Sequence, residues 1–448
     1  MLGNVEVISE ELIKPSSPTP HACRDLKLSL LDQLMPSIYV PLIFFYQNRS
    51  SCSNNIDPAK RSQHLKQSLS EVLTKFYPFA GRTNQNLSVD CNDSGALFVE
   101  SRVHAHLSQA LIQSTTIEEP NQYLPFEPFY ASSKNNLMLG IQISFFECGG
   151  MAVGACISHK LADAMSFVTF MNAWAATCRG QADEVVQPDF ELAGRLFPPA
   201  NIPLTSYDFM SLEEKESLVT KRFVFDEEKL DALKQLASSA ASGSSVKDPT
   251  RIEAVSALMW KNLSSTTQAK VDHKTNFLAY HGVNLRPKMS LPGDRLVFGN
   301  LAIATTALLT MSDQDDHDKE YCYDLVGLLR TAIRKINGEY IKHVQSGVPY
   351  LNTLENNIKE RLAKQPMISC KFTSWCRFPV YEVDYGWGKP IWVATKVPPM
   401  KNCVIFLDSS CGDGIEAWAN VVEDEMAMIP DELLSLATAD STARIHNQ

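Results

Sequence analysis

The sequence predicts a mixed α/β protein in two halves, and three observations carry that reading. Leu137–Glu147 and Met151–Ile157 are rich in β-formers and flank Cys148-Gly149-Gly150, the composition of a tight hairpin. Met165, Phe167, Val168, Met171 and Trp174 then recur at helical spacing, with Gly180 as a left-handed stop. Beyond residue 218 strand-like and helix-like runs alternate again. The expected division is 1–190, a crossover at 191–218, and 219–448, with a segment near 380–402 a candidate addition to the N-terminal sheet.

In chain order, the first fifteen residues read as a short strand running into a loop at Pro18 and Pro20. Leu31-Asp32-Gln33 opens the next ordered piece, and Tyr39–Tyr46 (YVPLIFFY) is a compact buried strand. Asp57-Pro58 is an N-cap and first-turn pair, and Leu65, Leu69, Val72, Leu73 and Phe76 make one apolar helix face. Leu97–Glu100 and the residues around His104 and His106 suggest further strands. Without a third ligand, the two histidines fit a solvated strand face better than a metal site. Gly180 to Leu218 holds Pro188, Pro198, Pro199 and Pro203 with little periodicity, hence the crossover.

The second half opens with strand Val219–Phe225 and helix Glu227–Leu236, followed by the small, polar run Ser238–Ser245. Thr250-Arg251-Ile252-Glu253 has the form of a capping box that starts a helix through Trp260. Strands are expected at Phe277–Leu285 and Leu301–Leu309 around a Pro-Gly-Asp turn, and a helix at Asp324–Ile336. Strand character returns at Cys370–Phe378, Ile391–Val397, Val404–Leu407 and Ile415–Val421. Glu423–Leu436 reads as an acidic helix interrupted at Pro430.

Composition narrows the class. The 448 residues are 44% hydrophobic and 21% charged, ordinary for a globular chain with a large core. A net charge of −10 without any Lys/Arg run argues against nucleic acid or an anionic membrane as partner. Eleven scattered cysteines without C-x-x-C pairs suit reduced thiols, and no stretch has membrane-spanning length or signal-peptide form. A cytoplasmic monomer is expected.

Two motifs carry the chemistry. In His159-Lys160-Leu161-Ala162-Asp163 a histidine stands at a strand end with a carboxylate four residues on, expected in the first turn of the next helix. A neutral imidazole there can take a proton from an alcohol. The same spacing also fits a structural histidine, so the motif alone leaves both readings open. The second motif is Asp384-Tyr385-Gly386-Trp387-Gly388-Lys389-Pro390, whose glycines and proline are turn formers and whose tryptophan is a large packing surface. There is no G-x-S-x-G elbow and no H-E-x-x-H helix to support a hydrolase.

Together HKLAD and DYGWGKP resemble the two signatures, H-x-x-x-D and D-F-G-W-G, of the plant BAHD acyltransferases. Tyr77-Pro78-Phe79-Ala80-Gly81-Arg82, Asn284-Leu285-Arg286-Pro287, Phe298-Gly299-Asn300 and Thr373-Ser374-Trp375 match the same family in the same order, from about Ser9 to the last predicted helix. ISEELIKPSSPTP, SVDCNDSG, SFFECGG and VEDEMAM are similar to members that acetylate alkaloid alcohols. Tyr385 departs from the usual Phe and adds a hydroxyl to a packing position.

The resemblance implies two chloramphenicol-acetyltransferase-like domains of mixed sheet and helices around a solvent channel. It implies His159 as general base, Asp163 as an orienting residue paired with Arg286, and the Thr373 hydroxyl as oxyanion donor. Asn300 and Trp375 are then candidate channel residues, and Asp384, Tyr385, Gly386, Trp387 and Gly388 a structural motif. Acetyl-CoA would be the cosubstrate and an alkaloid alcohol the acceptor, with no metal and no permanently bound cofactor. The capped helix at Thr250 and Arg251, with Lys247 beside it, is a candidate hold for a CoA phosphate; an ordinary capped helix explains the same residues. The rival readings keep the fold but use a malonyl or aromatic acyl donor, use an amine acceptor, or bind a small molecule without turnover.

Overall fold

The computed structural model describes residues 5–48, 57–84, 87–113, 120–129, 136–200, 217–238, 246–270, 275–289, 291, 296–310, 324–362, 367–429, 433 and 437. The chain divides into two compact units. The first is Met1–Ser211 with Leu291–Leu301 and Arg377–Lys396, and the second is Leu212–Ser290 with Ala302–Cys376 and Val397–Gln448.

The first unit is built on a six-stranded sheet in the order β1-β6-β7-β8-β3-β15. Its strands are β1 (Val5–Ile13), β3 (Tyr39–Tyr46), β6 (Ala96–Val103), β7 (Leu139–Phe146), β8 (Met151–Ser158) and β15 (Trp392–Ala394). Only β6 and β7 run parallel. Residues of β3, β7 and β8 are buried along their whole length, which is why these segments are largely apolar, with Gln142, Ser144 and Ser158 as buried polar exceptions. The β7–β8 hairpin turns at Gly149, φ +78°. Gly154 in β8 admits no side chain, since a Cβ there would sit 1.7 Å from the Tyr123 carbonyl oxygen.

On this sheet lie α2 (Pro58–Lys75), capped by Asp57, and α4 (Ala164–Cys178). Short helices α1 (Leu30–Leu34), α3 (Leu107–Gln113) and α5 (Leu192–Leu196) complete the unit. A small sheet joins β2 (Asp25–Lys27), β5 (Ser88–Asp90) and β4 (Arg82–Asn84). β9 (Pro188–Asp189) pairs in parallel with β12 (Leu296–Val297).

Three expectations change here. The stretch after Gly180 is not structureless: β9 and α5 order it as far as the described residues run, because β9 finds its partner more than a hundred residues away. Likewise 291–301 belongs with the first unit and not with a contiguous C-terminal half. His104 and His106 follow the end of β6 instead of lying in a strand. His104 sits between Glu6 at 3.2 Å and Glu147 at 3.9 Å, and among the described residues no group of metal-ligating side chains forms.

The second unit has its own six-stranded sheet, ordered β10-β17-β16-β14-β11-β13. The strands are β10 (Leu218–Phe225), β11 (Asn276–Asn284), β13 (Ala302–Leu309), β14 (Met367–Ser374), β16 (Cys403–Asp408) and β17 (Ile415–Val422). β14 runs parallel to both β11 and β16, and the other pairs are antiparallel. Helices α6 (Glu227–Ser238), α7 (Arg251–Gln268) and α8 (Leu325–Lys335) bury Leu230, Trp260, Leu263 and Leu329 with Phe223, Phe372 and Phe406 of the sheet. Each such side chain contributes about 1.5–3 kcal/mol. α9 (Gly338–Gln345) and α10 (Val348–Leu362) follow.

The expected acidic helix at Glu423 is instead a 3₁₀ turn, Glu423–Met428. Glu425 is buried there and pairs with Lys401 at 2.6 Å, a tertiary contact that fixes the tight turn. Most of the run Ser238–Ser245, the Pro-Gly-Asp turn and Pro430 lie outside the described residues.

Candidate active site

β8 ends at Ser158, so the all-buried strand delivers His159 directly to its end. There the His159 amide donates to the Ile38 carbonyl at 2.9 Å, and Leu161 N–H and Ala162 N–H return to Ser158 O. Asp163 follows as the N-cap of α4, with extended backbone (φ −81°, ψ 174°), and not as a first-turn residue. Its carboxylate accepts from Ser166 N–H at 2.9 Å, satisfying one of the helix's free amides.

The second carboxylate oxygen of Asp163 reaches across the chain to accept the Leu301 amide at 3.0 Å. Ser166 Oγ donates to the Gly299 carbonyl at 2.9 Å, and the Gly299 amide lies 3.2 Å from the same hydroxyl. Phe298, packed among Phe76, Phe79 and Phe190 at centroid distances of 5.0–5.7 Å, anchors the segment from below. The start of α4 therefore holds Phe298-Gly299-Asn300-Leu301 against the HKLAD turn.

Asn300 is fully buried, and its Nδ2 donates to the His159 carbonyl at 2.7 Å and to Asp32 Oδ1 at 2.8 Å. Both neighbours can only accept, so the amide orientation is fixed by chemistry. Asp32 also takes the Asn300 amide at 2.8 Å, while its other oxygen takes the Ser29 amide and hydroxyl at 2.9 and 2.6 Å. Asp32 was not among the residues expected from the sequence to matter. Its one local signal is the spacing Ser29-x-x-Asp32, which forms a capping box on α1.

With Nδ2 so committed, Asn300 Oδ1 faces away, and it and His159 Nδ1 are both buried without a hydrogen-bond partner. Burial pulls the His159 pKa below its ordinary value, while the charge of Asp163 opposes that shift without cancelling it. At neutral pH the ring is neutral and able to accept a proton.

DYGWG lies in the same unit at the other end of α4. Asp384 Oδ1 accepts the amides of Gly386 at 2.7 Å and Gly388 at 2.9 Å, and both glycines have φ +101°, a backbone only glycine adopts easily. Arg179, just past α4, binds the Asp384 carbonyl. Asp163 caps one end of this 15-residue helix and Arg179 the other, so about 22 Å of helix at 1.5 Å per residue lies between the Asp163 cap and the Arg179 contact to Asp384. Asp384 holds a turn. Tyr385 is buried between Trp174 and Tyr46 at 4.8 and 5.9 Å, packs on Trp387 at 6.2 Å, and leaves its hydroxyl unpartnered.

The remaining candidates belong to the second unit. Thr373 lies on β14 opposite Ile405 of β16, and on its β11 side stands Gly282, where a Cβ would come 3.4 Å from Thr373 Oγ1. The missing side chain leaves that flank of the hydroxyl uncovered. Trp375 is buried, with its amide on the Phe406 carbonyl at 2.8 Å. Arg286 opens a 3₁₀ turn after β11, its amide on Asn284 Oδ1 at 3.1 Å. Thr250 and Glu253 form the expected capping box of α7, and Arg330 holds Glu253 at 2.6 Å. Arg251 donates to the Asp413 carbonyl at 2.9 Å and lies 3.4 Å from Asp408, so it is engaged within its own unit, whereas Lys247 is exposed.

The chain matches the Transferase family model over residues 3–435. It is also 45% identical to stemmadenine O-acetyltransferase of Catharanthus roseus, across 98% of this chain and 99% of that one. The chain is a BAHD acyltransferase. This BAHD protein is equally 45% identical to vinorine synthase of Rauvolfia serpentina, over 98% and 99% of the two chains. The crystal structure of vinorine synthase superposes with a TM-score of 0.81 at 42% identity, covering 98% of this chain and all of that one. F. sporotrichioides TRI101, complexed with coenzyme A and T-2, shares the fold at 18% identity and TM-score 0.72, over 92% and 99% of the chains. The expected class, α/β with two sheet-rich domains, is thus the fold of the family.

Proposed function

We propose that this BAHD enzyme transfers the acetyl group of acetyl-CoA to a hydroxyl of a monoterpenoid indole alkaloid, with His159 as general base. The observation that carries the reading is the His159 ring itself. It is neutral by burial, set at a strand end by the Asp163 cap, and backed by Asn300. The acceptor class rests on the similarity to stemmadenine O-acetyltransferase and vinorine synthase across nearly the whole chain.

In the proposed reaction Nδ1 keeps its proton, leaving the Nε2 lone pair for the substrate. Nε2 removes the hydroxyl proton as the alcohol oxygen attacks the thioester carbonyl. The carbonyl electrons move to oxygen, and the Thr373 hydroxyl is the proposed donor to that oxyanion. Collapse re-forms the carbonyl, breaks the carbon–sulfur bond and expels the CoA thiolate, which takes the proton back from the imidazolium. Base catalysis supplies about 10²–10⁴-fold; alignment of the reactants and oxyanion stabilisation supply the rest. Asp163 and Arg286 as an ion pair, Lys247, Thr250 and Arg251 as CoA contacts, Trp375 as a channel residue, and a cytoplasmic monomer belong to the same proposal.

Purified protein is incubated with acetyl-, malonyl- and aromatic acyl-CoA and a panel of alkaloid alcohols and amines, with mass spectrometry of the products. O-acetylated alkaloid from wild type and none from His159→Ala supports the proposal. Preference for another donor, an amine product, or CoA release independent of acceptor overturns it.

A further inference from the structure

A cavity of about 460 Å³ opens beside DYGWG, lined by Lys60, Arg61, His64, Arg179, Tyr385 and Trp387 among others. Three fixed positive charges line it in a chain of net charge −10, and no carboxylate residue stands in its wall. Asp384, next in sequence to Tyr385, turns Oδ1 onto the Gly386 and Gly388 amides.

Two of the cations are arranged against their local electrostatics. Lys60 and Arg61 occupy the first turn of the 18-residue α2, where the Asp57 cap turns its carboxylate onto the Ala59 amide, so both sit at the positive end of the helix dipole. Arg61 lies 5.5 Å from the centroid of Trp387 and gives Nη1 to the Gly149 carbonyl at 3.3 Å, but its Nε is buried without a partner. Burial pushes the Arg61 pKa down with no carboxylate to offset it. His64 Nε2 donates to the Cys178 carbonyl at 2.7 Å. Arg179 uses Nε on Gln181 at 2.9 Å and Nη1 on the Asp384 carbonyl, both neutral partners. Among the described residues none of Lys60, Arg61 and Arg179 has a carboxylate partner. A concave wall of cations without carboxylate partners, with an aromatic side, is suited to a multivalent anion.

We propose that this cavity binds a small oxyanion of the phosphate class, at a site separate from His159 and at the opposite end of α4. Calorimetric titration with inorganic pyrophosphate and with adenosine 3′,5′-bisphosphate tests it, on wild type, Lys60→Gln, Arg61→Lys and the double variant Lys60→Gln/Arg179→Gln. Each is measured with and without saturating acetyl-CoA, and melting curves in phosphate-free buffer confirm folding. Exposed Lys60 keeps the test open if the double variant unfolds. The expected result is pyrophosphate binding that survives acetyl-CoA, weakens at least tenfold in Lys60→Gln, and is retained in Arg61→Lys. Tighter binding of the bisphosphate, equally sensitive to Lys60, assigns the site to a nucleotide phosphate; equal binding assigns it to the free anion. No binding, binding abolished by acetyl-CoA, or binding indifferent to Lys60→Gln overturns the proposal.

Discussion

Asn300 donates its side-chain amide to the carbonyl oxygen of His159 at 2.7 Å, although 141 residues separate them. Asp32 accepts the same amide group at 2.8 Å, so a buried carboxylate decides which way Asn300 faces and thereby what stands behind the imidazole. Asn300→Ala is expected to lower kcat at least tenfold and to destabilise the fold by about 1–3 kcal/mol, because Asp32 and the His159 carbonyl each lose the side-chain donor while the backbone amide remains. Asn300→Asp, which sets a second carboxylate against Asp32, is expected to be worse on both counts. Steady-state kinetics and thermal melts check both. Full activity in Asn300→Ala would remove Asn300 from the positioning of His159.

Asp163 serves the helix and the 299–301 segment at once. Asp163→Ala forfeits a cap worth about 1 kcal/mol and strands the buried Leu301 amide at a further cost of about 1–3 kcal/mol. The melting temperature should therefore fall together with the rate. A large loss of kcat with an unchanged melting curve would assign Asp163 to the chemistry instead.

The His159 pKa lies below its ordinary value of 6.5 because burial disfavours the charged ring. The base is active when neutral, so kcat/KM should hold as pH falls through 6.5 and decline only at lower pH. Stability has the same sign. The unfolded chain takes up the proton first, so stability is lost as pH falls from about 6.5 toward the folded pKa. Buried His281 is shifted in the same direction and adds to that loss. A pH–rate profile with its acid limb above 6.5 would contradict the assignment.

Tyr385 carries a buried hydroxyl with no partner at a position where the family has phenylalanine. Tyr385→Phe should leave the packing against Trp174 intact and stabilise the protein by about 1 kcal/mol or more. Differential scanning calorimetry measures this directly, and a lowered melting temperature would mean that the hydroxyl is satisfied.

Much of the site was legible from local pattern. The hairpin before His159, the apolar stripe of α4 and the T-x-x-E box of α7 are periodic or capping signals confined to a few residues, and each appears in the structure where expected, although α7 runs on past Trp260 to Gln268. Asp163 was misplaced by one position because a cap and a first-turn residue share the same local composition and differ only in backbone angle. Asp32 drew no attention, since nothing near it in the chain reveals the partner it meets 268 residues later.

By itself the sequence determined the strand and helix periods, the position of His159 at a strand end, and the two motifs that mark the family. Only the tertiary structure decided that Phe298 to Leu301 return to the first unit and that Asp32 holds Asn300 against the His159 carbonyl. The same is true of the cations of α2 and α4, which meet beside Trp387. Hydrophobic periodicity is written along the chain because each turn or pleat repeats within a few residues. A hydrogen bond between buried groups a hundred residues apart has no such period, and it exists only once the core has brought them together.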